Sequence, residues 1–305
     1  MSDFTRWRSL VDGEDIAIPN PLVVYGGADE NTYVHVVLDG SLVQTLTESG
    51  VRVEGVALSD THVAYGEGFE GNDNTYVHDV SDGSLVQTLT ESGGAVRGVG
   101  LSDTHVAYGG DDDNTYVHDV LDGSLVQTLT ESGDRVQDVA LSDTHVAYGG
   151  EDPNTYVHDV SDGSLVQTLT EEGVRVRGVA LSDTHVAYGG DDANTYVHDV
   201  SDGSLVQTLT EEGERVQSVA LSDTRVAYAG NEGNTYVHDV SDGSLVQTLT
   251  ESAGRLTCVA LSDTHVAYGE GFEGDDNTYV HDVSDGSLVQ TLTESGDQVL
   301  DVALP

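Results

Sequence analysis

NTYVHDVSDGSLVQTLTE, residues 74–91, returns letter for letter at residues 154, 194, 234 and 277. At residue 31 it returns with two changes and at residue 114 with one. The seven starts lie 43, 40, 40, 40, 40 and 43 residues apart, so the chain is an array of repeats. One unit reads VQDVALS, THVAYGG, NTYVHDV, SDGS and LVQTLTE. Its apolar runs are short, rich in Val, Thr, Tyr and Leu, and separated by turn clusters such as SDT, GGEDPN and SDGS. No run keeps a 3.6-residue period long enough for a helix. Each unit is therefore expected to give four antiparallel strands, a to d. Seven small sheets with two faces to cover bury both by packing in a ring, which predicts an all-β, seven-bladed propeller. Burial on both faces is the expectation drawn from Leu85 and Val86, adjacent in strand d and both apolar.

The ends raise the question of closure. Strands b, c and d occur seven times, but two segments fit strand a of the first blade. The C-terminal QVLDVALP (298–305) carries Val299, Val302 and Leu304 in the right places, whereas EDIAIPNP (14–21) has Gly13 where the first Val belongs. The C-terminal copy is expected to close the ring. Residues 1–20 then form a strap or partly ordered segment beside a propeller of residues 21–305.

The spacing resembles that of the WD-repeat family across nearly the whole chain, as in HDV-DGSLVQTLTES…V..VALSDTHVAYGGDDDNTYVHD. That resemblance implies a propeller that binds other proteins. The signature letters differ. His-Asp (His78-Asp79, His118-Asp119) stands where the family ends strand c in Trp-Asp, and Glu131-Ser132 where the family has Gly-His. The family's turn Asp corresponds best to Asp112. The Trp–Ser–His–Asp network of the family cannot form as such here.

Composition narrows the partners. Asp and Glu number 55 against ten Arg and no Lys, a net charge of −45. Such a chain repels itself in dilute buffer, and a Debye length of about 3 Å at 1 M salt removes most of that repulsion. The composition resembles that of halophilic proteins, so a salty cytoplasm and weak folding at low salt are expected. Nucleic acid and anionic membranes are poor partners for this charge. High charge with few aromatics also suits disorder, but the strict apolar pattern opposes that reading. The single Cys258 excludes an internal disulfide, and no stretch approaches 18 apolar residues.

The copies disagree in two places. One is the d–a loop with the start of strand a: GVRVEG, GGAVRG, GDRVQD, GVRVRG, GERVQS, AGRLTC and GDQVLD. The other is the b–c loop. Both lie at one end of the strands, so the differences gather on one face of the disc. Drift of loops explains this, as does selection of an unsymmetrical binding face. Seven of the ten arginines sit there. Arg52, Arg135, Arg175, Arg215 and Arg255 share one column, with Arg97 and Arg177 two residues further along their own copies. They either pair with nearby carboxylates such as Glu131 and Asp111 or form an anion or acidic-peptide site on the axis. Two b–c loops carry an insertion, GEGFEGND (66–73) and GEGFEGDD (269–276), which places Phe69 and Phe272 on either side of the first blade as candidate anchors.

Catalysis finds little support. Nucleophilic chemistry needs a Ser or Cys beside a His tuned apart from its copies, and here every Ser–His–Asp proximity recurs five to seven times. The strand-c histidines read as buried packing residues, those after SDT as solvated. The acidic runs lack the closing bidentate Glu of a Ca²⁺ loop. The expected function is a non-catalytic protein-binding scaffold in the cytoplasm, without cofactor or metal. Its rival is a small-anion-binding or hydrolytic propeller with its site on the axis at the Arg column.

Overall fold

Alternation of large and small side chains along strand b decides how the sheets stack. In HVAYGG (105–110), period-2 geometry sends Val106 and Tyr108 to one face and Ala107 and Gly109 to the other. The structure, a computed structural model, describes residues 7–11, 14–18 and 21–305, except 49, 69–73, 92, 171–172, 174, 211–212, 214, 252–253, 272–276 and 294–296. In the third copy, strand a is Val96–Leu101, b His105–Gly110, c Thr115–Asp119 and d Leu125–Leu129. They pair antiparallel in that order, with Tyr108 opposite Tyr116 and Ala107 opposite Val117. Seven such four-stranded sheets form the blades of a propeller.

Val299–Ala303 is strand a of the first blade, beside Leu22–Gly27, Thr32–Val36 and Leu42–Leu46, so the C-terminal copy closes the ring as expected. Glu14–Ile18 pairs instead with Trp7–Val11 in a ladder of its own. The strap expected of residues 1–20 otherwise lies outside the described residues.

The cores lie between blades rather than within them. Seven buried clusters match the seven interfaces. At the interface of blades 2 and 3, Val106, Tyr108 and Tyr116 of blade 3 meet Ala64, Val77 and Leu89 of blade 2. Each fully buried Val contributes about 1.5–3 kcal/mol relative to an exposed one. The closing cluster joins Val299 and Val302 to Tyr25, Cys258 and Ala260. Burial on both faces holds for strands b and c but not for d. Leu85 is 44% exposed and the equivalent leucines match it, because strand d is the outer edge of each blade. That corrects the expectation drawn from Leu85 and Val86.

Polar bonds repeat within the blades and across their interfaces. His118 Nδ1–H donates to the Gly123 carbonyl at 3.0 Å, and its Nε2 meets the Tyr108 hydroxyl at 3.1 Å. Tyr108 donates to Glu91 of the preceding blade at 3.0 Å. The strand-c histidines are thus buried, hydrogen-bonded packing residues, as read from the sequence. This Tyr–His pair stands where a Trp-centred network was absent. Gln87 of strand d reaches the Leu121 carbonyl of the next blade at 2.8 Å. The histidines after SDT are not fully solvated. His62 and His265 are buried, each with Nδ1 against the preceding Thr hydroxyl, and burial lowers both imidazoles from their ordinary pKa.

A close fit joins strand b of one blade to strand a of the next. A Cβ on Gly109 would stand 2.7 Å from Val136 Cγ1, and Gly26, Gly66, Gly149, Gly189 and Gly269 face the same obstacle. The sixth blade has Ala229 in that slot, and only there is the facing Val replaced by a leucine, Leu256. Leucine branches one carbon further out, which makes room for the methyl. Gly109→Ala is therefore expected to cost about 1–3 kcal/mol through overpacking. Adding Val136→Leu should recover most of it, as read by a chemical-denaturation double-mutant cycle in concentrated salt.

Candidate functional site

Strand a of every blade is the innermost, and each begins at the variable face. The column arginines immediately precede it, so five guanidiniums stand around one mouth of the central channel. Most are engaged by carboxylates. Arg97 holds Asp111 at 2.7 Å and Glu54 at 3.3 Å, and Arg135 shares Asp111 at 3.1 Å. Arg52 pairs with Glu54 of its own blade, and Arg175 with Glu151 at 3.1 Å. Arg177 holds Asp191 Oδ1 at 2.5 Å, while Arg215 stands 4.0 Å from the same oxygen. Of the two carboxylates named from the sequence as partners, Asp111 pairs with Arg97 and Arg135, and no described ion pair joins an arginine of the column to Glu131. Glu131 accepts the Tyr148 hydroxyl instead.

Arg255 differs. Its Nη2 donates to Gln217 Oε1 at 3.2 Å, and its buried Nε has no hydrogen-bond partner among the described residues. Among the described residues no carboxylate lies within salt-bridge distance. Burial, then the neighbouring Arg177 and Arg215 charges, hold this guanidinium below the usual arginine range. Phe69 and Phe272, the other candidates, lie outside the described residues. Their blades show what the insertion replaces. Where Asp112 accepts from Asn114 and the Tyr116 hydroxyl, Glu67 and Glu270 accept from Asn74 and Asn277.

The opposite mouth is uniform and acidic. A cavity of about 690 Å³ opens there on the axis, rimmed by Asp60, Asp103, Asp143, Asp183, Asp223 and Asp263 above Leu141, Leu181, Leu221 and Leu261. It lies at the other end of the channel from the Arg column, where the rival reading placed a site. On this face the c–d turns are fixed by their glycines. Gly83 has φ 73°, and a Cβ there would meet Gln44 of the preceding blade. The glycine of these turns is thus demanded by the fold.

Two carboxylates escaped the sequence reading. The third residue of strand a is Gly55, Gly98, Asp138, Gly178, Ser218, Cys258 and Asp301 around the ring. Where it is Gly, the next backbone fills the space of a Cβ, as Val139 N does 2.5 Å from that of Gly98. Where it is Asp, the carboxylate bridges two blades. Asp138 accepts the N–H of Val139 at 2.9 Å and of Val179 at 2.8 Å, and Asp301 those of Val302 and Val56 at 2.9 and 2.8 Å. Ser218 accepts from Val259 at 3.1 Å in the same way. An acid in a slot otherwise filled by Gly, Ser and Cys was the available signal. Burial raises Asp138 to about 7, and burial with the Asp138 charge raises Asp301 to about 8.

No protein-family model matches this chain, and no curated protein matches it either. Among solved structures it is similar to the computationally designed Ika8 protein, in a crystal of P63 packing, with a TM-score of 0.73. That match covers 97% of this chain and 89% of the designed one at 21% identity. A likeness at that identity shows the fold: a seven-bladed β-propeller of repeated blades. No helix among the described residues is long and apolar enough to cross a membrane.

The bridging carboxylates set a pH dependence. Unfolded Asp titrates near 3.9. Raised pKa values mean that the folded state holds extra protons above that pH. Their contribution to stability is complete below about pH 4 and is lost as pH rises through about 7 and 8. Asp138→Asn and Asp301→Asn keep one acceptor oxygen and remove the charge. In concentrated salt the doubly substituted protein should lose less melting temperature than the parent between roughly pH 5 and 9.

Proposed function

We propose that this chain is a non-catalytic, WD-repeat-like scaffold that binds another protein through the face bearing the b–c and d–a loops, in a high-salt cytoplasm. The observation that carries this reading is electrostatic. A chain with 55 acids gathers seven of its ten bases at one mouth of the channel, while aspartates rim the other. Exposed ion pairs contribute little to stability, commonly 0–1 kcal/mol each, so folding alone does not require that concentration of arginine. Arginine is also the cation suited to planar, bidentate recognition of carboxylates.

The rest of the chain supports a role without chemistry. Cys258 is buried, and its thiol is pushed up in pKa by that burial and by the Asp301 charge. The Tyr–His pairs recur in every blade with both ring nitrogens engaged. A site on the axis that uses the whole Arg column is disfavoured, because four of its five members face carboxylates of the chain itself. Kinship to WD repeats rests on spacing and blade architecture. The His-Asp ends of strand c and the Tyr–His pairs distinguish this chain from the family's signature.

Affinity capture in concentrated KCl, with mass spectrometry, tests the reading. A protein retained by the parent should be lost with Phe69→Ala/Phe272→Ala or with Arg135→Gln/Arg175→Gln. It should be kept with Leu121→Ser, which restores on the opposite face the residue of five other copies. Retention by all variants would contradict the assignment of the face.

A further inference from the structure

Comparison of the copies shows why Arg255 stands apart. A column arginine leans on the first residue of the preceding blade's b–c loop: Arg135 on Asp111, Arg175 on Glu151, Arg215 toward Asp191. The loop before Arg255 begins with Asn231. The first blade also lacks the acid, having Ala28 there, but Arg52 finds Glu54 on its own blade. At Arg255 the corresponding residue is Thr257, whose hydroxyl is turned to the Val299 carbonyl at 2.6 Å. The missing carboxylate is therefore not supplied elsewhere among the described residues.

In its place is a polar relay. Arg255 donates to Gln217 Oε1, and Gln217 Nε2 donates to Asn231 Oδ1 at 3.2 Å. Neither amide carries charge. Arg177 and Arg215 stand close enough to oppose the Arg255 charge. Among the described residues they have one carboxylate between them, Asp191, which Arg177 holds and Arg215 only approaches. Arg177 is 17% exposed and Arg215 47%, so the group opens to solvent on one side. Among the described residues these three guanidiniums share one carboxylate, in a chain of net charge −45. A half-buried guanidinium with a bare Nε–H beside two like charges is costly without an anion, because its desolvation is uncompensated.

We propose that Arg255, with Arg177 and Arg215, binds an oxyanion of the carboxylate class at the seam of blades 5, 6 and 7, in the position that Asp111 and Glu151 occupy in other blades. This rests on the recognition-face reading and names the chemistry that the face takes at one place. The carboxylate has two sources, a free dicarboxylic acid or an acidic side chain of a protein partner.

The test is titration calorimetry at fixed ionic strength and moderate salt, with succinate and with a poly-glutamate peptide as separate probes. Asn231→Asp restores the arrangement of neighbouring blades, so it should fold. It should weaken succinate binding at least tenfold, as should Arg255→Gln, while Leu121→Ser on the far face leaves it unchanged. Poly-glutamate binding much more tightly than succinate, with the same sensitivity to Asn231→Asp, identifies a protein source. Equal affinity identifies a small acid. Equal succinate affinity in the parent and Asn231→Asp, or no binding by the parent, overturns the site. Partner capture that persists in Asn231→Asp then leaves the recognition face standing. Capture insensitive to every substitution on the face removes that reading instead, even where succinate binding responds.

Discussion

The seating of one blade's Val–Tyr face on the next blade's Ala–Gly face is the constraint from which the rest of this structure follows. No blade closes a core on its own: Tyr108 is covered by Ala64 and Val77 of its neighbour, and Ala107 by Val139 and Tyr148 of the next. Each sheet is therefore stable only between two others, and the array must end on itself. The C-terminal strand resolves that requirement by completing the blade that residue 21 begins. Long-range contact of this kind also explains why near-identical repeats suffice. Every interface poses the same packing problem, and the same letters solve it.

Interest then falls on the positions where the copies part. Within the interfaces, differences are compensated locally, as when Ala229 and Leu256 change together. In the third position of strand a, Gly, Ser and Asp each satisfy or fill the neighbour's backbone in their own way. At the variable mouth the differences concern charge. Arginines there are mostly matched by acids of the preceding blade, and the match fails at the junction of the sixth and seventh blades. The disc thus has an arginine-rich mouth, carboxylates wedged between blades in its throat, and a mouth rimmed by aspartates opposite.

Blade number, strand order and closure were legible because they depend on spacing and on apolar letters, which repeat. Val299, Val302 and Leu304 fitted the strand-a slot, and Gly13 spoiled the competing one. Solvation was harder to read. Leu85 has the same apolar character as Val106, but it lies on the outer edge, and nothing in its letter says so. His62 looked like a turn residue, yet the turn folds its ring inward against Thr61. The arginine column was visible, and Asp111 among its partners, but Glu151 and Asp191 were not. A partner lies on the preceding blade some 24 residues back, as Glu151 does for Arg175, and only the ring brings them together. Asp138 and Asp301 were missed because Asp fills only two of seven places in a column of otherwise small residues, where it looks like surface variation.

Cutting the chain after Thr293 tests the dependence of the fold on ring closure most directly. Removal of residues 294–305 strips the innermost strand from the first blade and uncovers Val23, Tyr25 and Cys258. In concentrated salt the account predicts that the shortened chain loses the single cooperative melting transition of the whole protein. A peptide of residues 294–305 added in trans should restore it. A shortened chain that melts at the same temperature as the intact one, with no response to the peptide, would contradict the account.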